Sequence, residues 1–173
     1  MTKYKKVFKV FWAWQDNKEE KWLNEMANSG WKLKNYNLTG YTFEKCEPNN
    51  YVYKLDYKST SNCDLHEYIS IFHDAGWEHV TQFTGWHYFR TESNGTDFPD
   101  IFSDVESKIQ KYRSLSQNLV ISLLVLIVVS FNVLFSKNIS FAIFIKSVYV
   151  GLIGLLIMAI WKVKQKINSL HNE

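Results

Sequence analysis

The sequence predicts an α+β fold in which tandem strand-helix-strand-strand repeats form an antiparallel sheet with helices on one face, followed by a transmembrane two-helix hairpin. Three observations carry this. Two segments, Lys21–Trp31 and Glu67–Trp77, read alike and end in Gly-Trp after a helical pattern. A Thr-Gly turn follows each, Thr39-Gly40 and Thr84-Gly85. Two long apolar runs then fill the C-terminal third of the chain.

The elements follow in order. An aromatic-rich strand is expected over Val7–Trp14. In the first helix Trp22, Leu23, Met26 and Ala27 share one face at helical spacing, and in the second Tyr68, Ile69, Phe72 and Ala75 do so. Gly30 and Gly76 suit the left-handed position that ends a helix. Asp16 with Glu19, and Asp64 with Glu67, have the spacing of a capping box, with Asp as the cap. Each Gly-Trp leads into a strand, the Thr-Gly turn and a second strand: Lys32–Leu38 and Tyr41–Cys46, then Glu78–Phe83 and Trp86–Thr91. The turn residues Glu47-Pro48-Asn49-Asn50 separate the first set from the strand Tyr51–Tyr57, which opens the second. Such a unit is too short to bury its own core, so the two copies must pair.

Phe98, Ile101, Phe102, Val105, Ile109 and Tyr112 follow a helical period with Pro99 in the first turn, predicting an amphipathic connecting helix. Leu119–Phe135 is uncharged, and with Gln117 and Asn118 it reaches the length that crosses about 30 Å of hydrocarbon. Phe141–Trp161 is also long enough, with Lys146 near its start placed to snorkel. The short link Ser136–Ser140 makes the pair an antiparallel hairpin. Lys108, Lys111, Arg113, Lys162, Lys164 and Lys166 flank one side, against Lys137 and Lys146 toward the other. The positive-inside rule then places the N-terminal domain and the C-terminal tail in the cytoplasm, the chain being a two-span protein of the cell membrane. The expected organisation is residues 1–97 as the duplicated domain, 98–116 as the connecting helix, 117–161 as the hairpin and 162–173 as a basic tail. Ser147 and Gly151 offer a small-residue face for homo-oligomers. The apolar stretch near the N-terminus is interrupted by Lys9, so no signal peptide is read there.

Charge narrows the function. Residues 1–116 hold 15 Lys or Arg against 16 Asp or Glu, while the remainder holds five basic residues against Glu173. The excess of +3 thus belongs to the membrane part. A domain near −1 lacks the concentrated positive surface that displaces phosphate counterions, which argues against a nucleic-acid partner. The two cysteines, Cys46 and Cys63, form no disulfide framework. Four of the five histidines, His66, His73, His79 and His87, fall in the second copy without zinc-ligand spacing, so no metal is expected. There is no phosphate-binding glycine loop, nucleophile elbow or two-histidine zinc helix. No cofactor and no enzymatic activity are expected.

Glu19–Ala27 leading to Gly30-Trp31, Tyr41–Glu44, Tyr51–Tyr57, Ala75–Trp77 and Phe102–Lys108 together resemble a bacterial family called domain of unknown function 2812, over residues of about 8 to 113. The resemblance implies trailing membrane helices and genes beside PadR-like transcriptional regulators, hence a regulatory setting, but no activity. The architecture is also similar to gyrase-inhibitor-like ligand-binding domains, which implies an aromatic cleft between the two copies for an apolar or cationic small molecule. The candidate ligand-binding residues are Trp12, Trp14, Trp31, Tyr41, Trp77, Trp86 and Tyr88, with Glu25 as charge partner. The expected function is a membrane-anchored, non-enzymatic regulatory or sensory protein that binds a ligand or a protein partner. The alternative is an accessory subunit of a larger membrane complex such as a transporter.

Overall fold

The computed structural model describes residues 3–59, 62–93, 100–102, 105–134 and 139–172. It divides into two compact units, Met1–Ser107 and Lys108–Glu173. The expected helix start at Phe98 and Pro99, and most of the expected link, Ser136, Lys137 and Asn138, lie outside the described residues.

The first unit contains β1 (Tyr4–Val7), α1 (Asp16–Asn28), β2 (Trp31–Asn37), β3 (Gly40–Lys45), β4 (Tyr51–Tyr57), α2 (Asn62–Asp74), β5 (Glu78–Phe83) and β6 (Trp86–Glu92). The order strand, helix, strand, strand occurs twice. Each set closes its own three-stranded antiparallel sheet with its last strand in the middle, β1-β3-β2 and β4-β6-β5.

The Gly-Trp pairs do what their position predicts. Gly30 and Gly76 have φ of +80° and +83°. At the second, Gly76 N–H donates to the His73 carbonyl and Trp77 N–H to the Phe72 carbonyl, both at 2.9 Å, the paired bonds of a Schellman cap. The helix starts differ from the expected capping boxes. α1 begins at Asp16 itself, after Gln15, with no side-chain cap, and α2 begins at Asn62, which puts Asp64 inside the first turn. Glu19 is turned into the core instead.

The first strand is also earlier and shorter than Val7–Trp14. Val7 stands opposite Tyr41, and β3 begins only one residue before that, at Gly40. Beyond Val7 the chain therefore has almost no neighbouring backbone left to pair with. It turns instead through Gln15 N–H to the Trp12 carbonyl at 2.7 Å and Trp12 N–H to Gln15 Oε1 at 3.1 Å.

Side chains join the two sheets. β2 slips register between Leu33 and Asn35, and β5 slips at the corresponding step between His79 and Thr81. At the first slip the Leu33 N–H donates to Tyr53 Oη at 2.9 Å, and its carbonyl accepts from Arg90 Nη1 at 3.1 Å. Arg90 is itself held by both carboxylate oxygens of Glu78 at 2.7 and 2.6 Å. Backbone groups of β2 are thus satisfied by side chains from β4 and β6, which is why the ladder stops between the halves. Thr81 Oγ1 adds a bond to Asn35 Oδ1 at 2.8 Å.

α1 covers the outer edge of β4. The Tyr53 N–H donates to Asn24 Oδ1 at 2.8 Å and the Leu55 N–H to Glu20 Oε1 at 2.9 Å, removing a free strand edge. Leu23, Ala27, Leu33, Tyr41, Phe43, Tyr53, Leu55 and Tyr88 form the main core, while Val52, Tyr68, Trp77 and Phe89 form a second beneath α2. Tyr53 and Leu55 feed the first core and Val52 the second. β4 is accordingly buried on both faces, and its apolar residues do not simply alternate with polar ones.

The second unit is built on α3 (Val105–Leu134) and α4 (Ile139–His171). At 1.5 Å per residue, 30 and 33 residues extend about 45 and 50 Å, longer than the ~30 Å hydrocarbon layer. Both helices are long and apolar enough to cross a membrane. Ile121, Leu124, Val125, Val128 and Phe131 are exposed along α3, and Phe144, Val150, Ile157 and Trp161 along α4. The hydroxyls of Ser122 and Ser130 donate to the Asn118 and Ile127 carbonyls at 2.8 Å, so neither needs water as an acceptor. Lys166 Nζ lies 4.6 Å from the Tyr112 ring centre, which sets the end of α4 beside the start of α3 and makes the helices antiparallel.

Candidate functional site

A cleft of about 190 Å³ opens in the first unit between the two sheet halves. Phe11, Trp12 and Ala13 line it from the segment before α1, Asp16 and Glu19 from the first turn of α1, and Tyr36 from β2. Phe83, Thr84, Trp86 and Tyr88 complete it from the β5–β6 hairpin. The volume lies below the ~300–1,000 Å³ of drug-sized pockets, and at ~30 Å³ per water it holds about six waters or a small organic molecule.

Its inner wall is acidic. Asp16 is 2% exposed and Glu19 is 7% exposed. Glu19 Oε1 accepts from the hydroxyls of Tyr41 and Tyr88, each at 2.6 Å. Burial raises the Glu19 pKa, the two phenol hydrogen bonds oppose that rise, and the neighbouring charges of Asp16 and Glu20 reinforce it. Tyr41 and Tyr88 are both shifted upward, first by burial and then by the Glu19 charge, so they remain protonated donors.

Aromatic rings form the remaining walls. Tyr36 stacks on Tyr41 at 4.3 Å and meets Phe83 edge-on at 5.2 Å. Trp12 stacks on Trp14 at 5.5 Å with only 5° between planes. The hairpin turn is strained at the cleft. Thr84 has φ +47°, a left-handed conformation that a β-branched residue adopts at a cost, followed by Gly85 at +84°. A Cβ on Gly85 would stand 2.9 Å from the Tyr57 ring, so the second turn residue must be glycine.

This arrangement combines buried carboxylates with ring faces. A cation entering it would meet both carboxylates and several π-faces. A neutral ligand would gain apolar contact and whatever hydrogen bonds it donates to the carboxylates, but not the charge attraction.

Of the sequence candidates, Trp12, Trp86 and Tyr88 line the cleft. Tyr41 stands behind it, joined through Glu19, and Trp14 supports Trp12 from outside. Glu25 is exposed on α1 and Trp77 is buried in the second core. Trp31 lies beneath Lys5 and Lys45, whose Nζ atoms are 5.4 and 4.9 Å from its ring centre. The sequence reading missed Phe11, Ala13, Asp16, Glu19, Tyr36, Phe83 and Thr84 as cleft residues. For Glu19 a signal exists. The buried stripe Leu23–Ala27, continued back by four residues, lands on Glu19, an acid on the apolar face of its helix.

The histidines form a separate pair. His87 Nδ1 lies 3.4 Å from His79 Nε2, and His87 Nε2 lies 3.1 Å from the Lys58 carbonyl. Burial lowers both pKa values, that of His79 to about 4, with the neighbouring His87 adding to its shift. Among the described residues no group of three or more His, Cys, Asp or Glu is placed to hold a metal ion.

A family model described as "Protein of unknown function (DUF2812)" matches residues 15–125. That span begins beside the cleft and ends within α3. No curated protein and no solved structure matches the chain.

Proposed function

As the chain belongs to the family of unknown function DUF2812, whose membership assigns no activity, we propose that it is a membrane-anchored, non-enzymatic sensory protein whose first unit binds a small organic cation. The observation that carries this reading is the cleft floored by Asp16 and Glu19 and walled by Phe11, Trp12, Tyr36 and Trp86. A site for an uncharged ligand has no need to keep two carboxylates 2% and 7% exposed, since each costs desolvation energy. α3 and α4 supply the anchor. Lys108, Lys111 and Arg113 at the start of α3, with Lys162, Lys164 and Lys166 near the end of α4, support a cytoplasmic position for the sensing unit.

Choline and its neutral isostere 3,3-dimethylbutan-1-ol test the proposal by thermal shift and titration calorimetry on the full chain in detergent micelles. Choline is expected to raise the unfolding temperature in a dose-dependent way and the isostere to leave it unchanged. Trp12→Ala, at the rim, weakens choline binding, and Glu19→Gln abolishes most of it. Binding also weakens as pH falls and Glu19 takes up a proton. Equal responses to both compounds, or none to either, refute cation recognition.

A further inference from the structure

A second surface on the first unit has the composition of a membrane-interface contact. Phe8 is 75% exposed, Val10 64%, Trp12 43% and Leu38 83%. These residues are neighbours in space as well as in sequence. Val7 pairs with Tyr41, and a Cβ on Gly40 would stand 2.6 Å from the Val7 carbonyl oxygen and 3.2 Å from Phe8 Cα. The turn that carries Leu38 therefore abuts Phe8 at one end of the β1-β3-β2 sheet.

Charge identifies what covers this patch. Lys6 and Lys9 are exposed beside it, whereas Lys3 and Lys5 lie toward the other end of β1, Lys5 over the Trp31 ring, and no acidic residue precedes Asp16. Glu44, opposite Tyr4 on the neighbouring strand, is already paired with Lys32 at 3.6 Å. Lys9 is exposed, with its Nζ 4.5 Å from the Trp22 ring centre. Aliphatic and aromatic side chains flanked by lysines match the layered chemistry of a bilayer surface, where anionic headgroups lie above the acyl boundary. A protein partner with an apolar knob alone explains the exposed rings but not the uniform sign of the charge.

We infer that Phe8, Val10 and Leu38, with Lys6 and Lys9, form a docking surface for an anionic lipid bilayer. The inference rests on the membrane-anchored reading above, since a bilayer must be within reach. Docking would bring Trp12, which belongs both to this surface and to the cleft, to the headgroup level. Lipid charge and ligand occupancy then act on one side chain.

The test uses the full chain in proteoliposomes, with Cys46→Ser and Cys63→Ser as background and an NBD label on Phe8→Cys or, separately, Leu38→Cys. Ile71→Cys on α2, at a residue 60% exposed, serves as the control. In vesicles with 30% phosphatidylglycerol, labels at 8 and 38 are expected to shift to the blue and to be quenched by doxyl lipid, while the label at 71 is not. Pure phosphatidylcholine, or replacing Lys6 and Lys9 by glutamine, removes the quenching. Each lysine near an anionic surface is expected to shift the docked population about fivefold. Labels that remain in water in anionic vesicles overturn the inference, as does quenching indifferent to lipid charge. A blue shift that appears in detergent and grows with protein concentration assigns the patch to a second copy of the chain and likewise overturns it. An alkaline carbonate wash of the same vesicles separates the two levels. A chain stripped from the membrane refutes the anchor, whereas a retained chain with unquenched labels refutes only the docking surface.

Discussion

Replacing Glu19 tests the interior of the cleft. Its Oε1 accepts from two phenols that are 1% and 2% exposed, so Glu19→Leu leaves two buried hydroxyls without their acceptor. At about 1–3 kcal/mol for each orphaned group the loss is roughly 2–6 kcal/mol, reduced by the desolvation penalty that leaves with the carboxylate. Glu19→Gln keeps an acceptor oxygen but not the charge, and costs about 1–2 kcal/mol. Tyr88→Phe separates this account from a simple packing loss. In the wild type it removes a charge-assisted bond worth about 1.5–3 kcal/mol. In the Glu19→Leu background it removes an orphan, so it should be neutral or stabilising. The wild-type cost should also be larger at pH 8 than at pH 5.5, because losing a donor raises the Glu19 pKa further and lower pH protonates it. Urea titration in mild detergent, followed by near-ultraviolet circular dichroism of the aromatic core, measures all four corners of the cycle. Equal costs for Tyr88→Phe in both backgrounds refute the proposed bonding.

Two further outcomes are expected. Gly40→Ala forces a Cβ to within 2.6 Å of the Val7 carbonyl oxygen at φ +108°, while Gly76→Ala at φ +83° meets nothing within 4 Å. The second should cost only the left-handed penalty of about 1–2 kcal/mol and the first clearly more, as read from urea midpoints. Equal costs would show that β1 does not press on the turn. The lowered pKa values of His79 and His87 mean that the unfolded chain binds more protons than the fold below pH about 6.5. Their contribution is complete above that pH and is lost as pH falls from 6.5 toward 4, the value to which His79 is pushed. His79→Gln should flatten the fall in unfolding temperature between pH 7 and pH 5 relative to wild type. An unchanged slope would remove His79 from the account.

Local chemistry made much of the fold legible. β4 and β5 fall on the strands expected from their residues, and the left-handed glycines end both helices. The two long apolar helices are visible as uninterrupted composition. The first strand is shorter than its apolar pattern, which continues past Val7, because its length is set by where β3 stops. Pairing is a non-local property that no single segment encodes. The same limit hid the acid that shapes the cleft. Asp16 and Glu19 have a spacing that local rules assign to a helix cap, yet Glu19 answers to Tyr41 and Tyr88, 22 and 69 residues away in the chain. Glu25, expected from the sequence as charge partner, belongs to the same helix. Its side chain is on the exposed face, two residues past the buried Leu23 and so about 160° from it around the helix at 100° per residue.

The cleft also gathers several of the unit's departures from local rules. Among the described residues no buried side-chain nitrogen or oxygen lacks a partner, so the polar interior is fully satisfied. Within that interior, two acids occupy the first turn of one helix below 9% exposure, and a threonine holds a left-handed backbone. Apolar residues at the acid positions, or asparagine or glycine at the turn, would relieve those costs without altering the strand order. Both departures line the same 190 Å³ space. Strain and buried charge spread across a fold reflect the compromises of packing. Here the left-handed threonine and two of the buried acids, Asp16 and Glu19, meet at one small aromatic cleft, in support of the binding reading proposed above, while Glu20 and Asp56 are buried elsewhere in the unit.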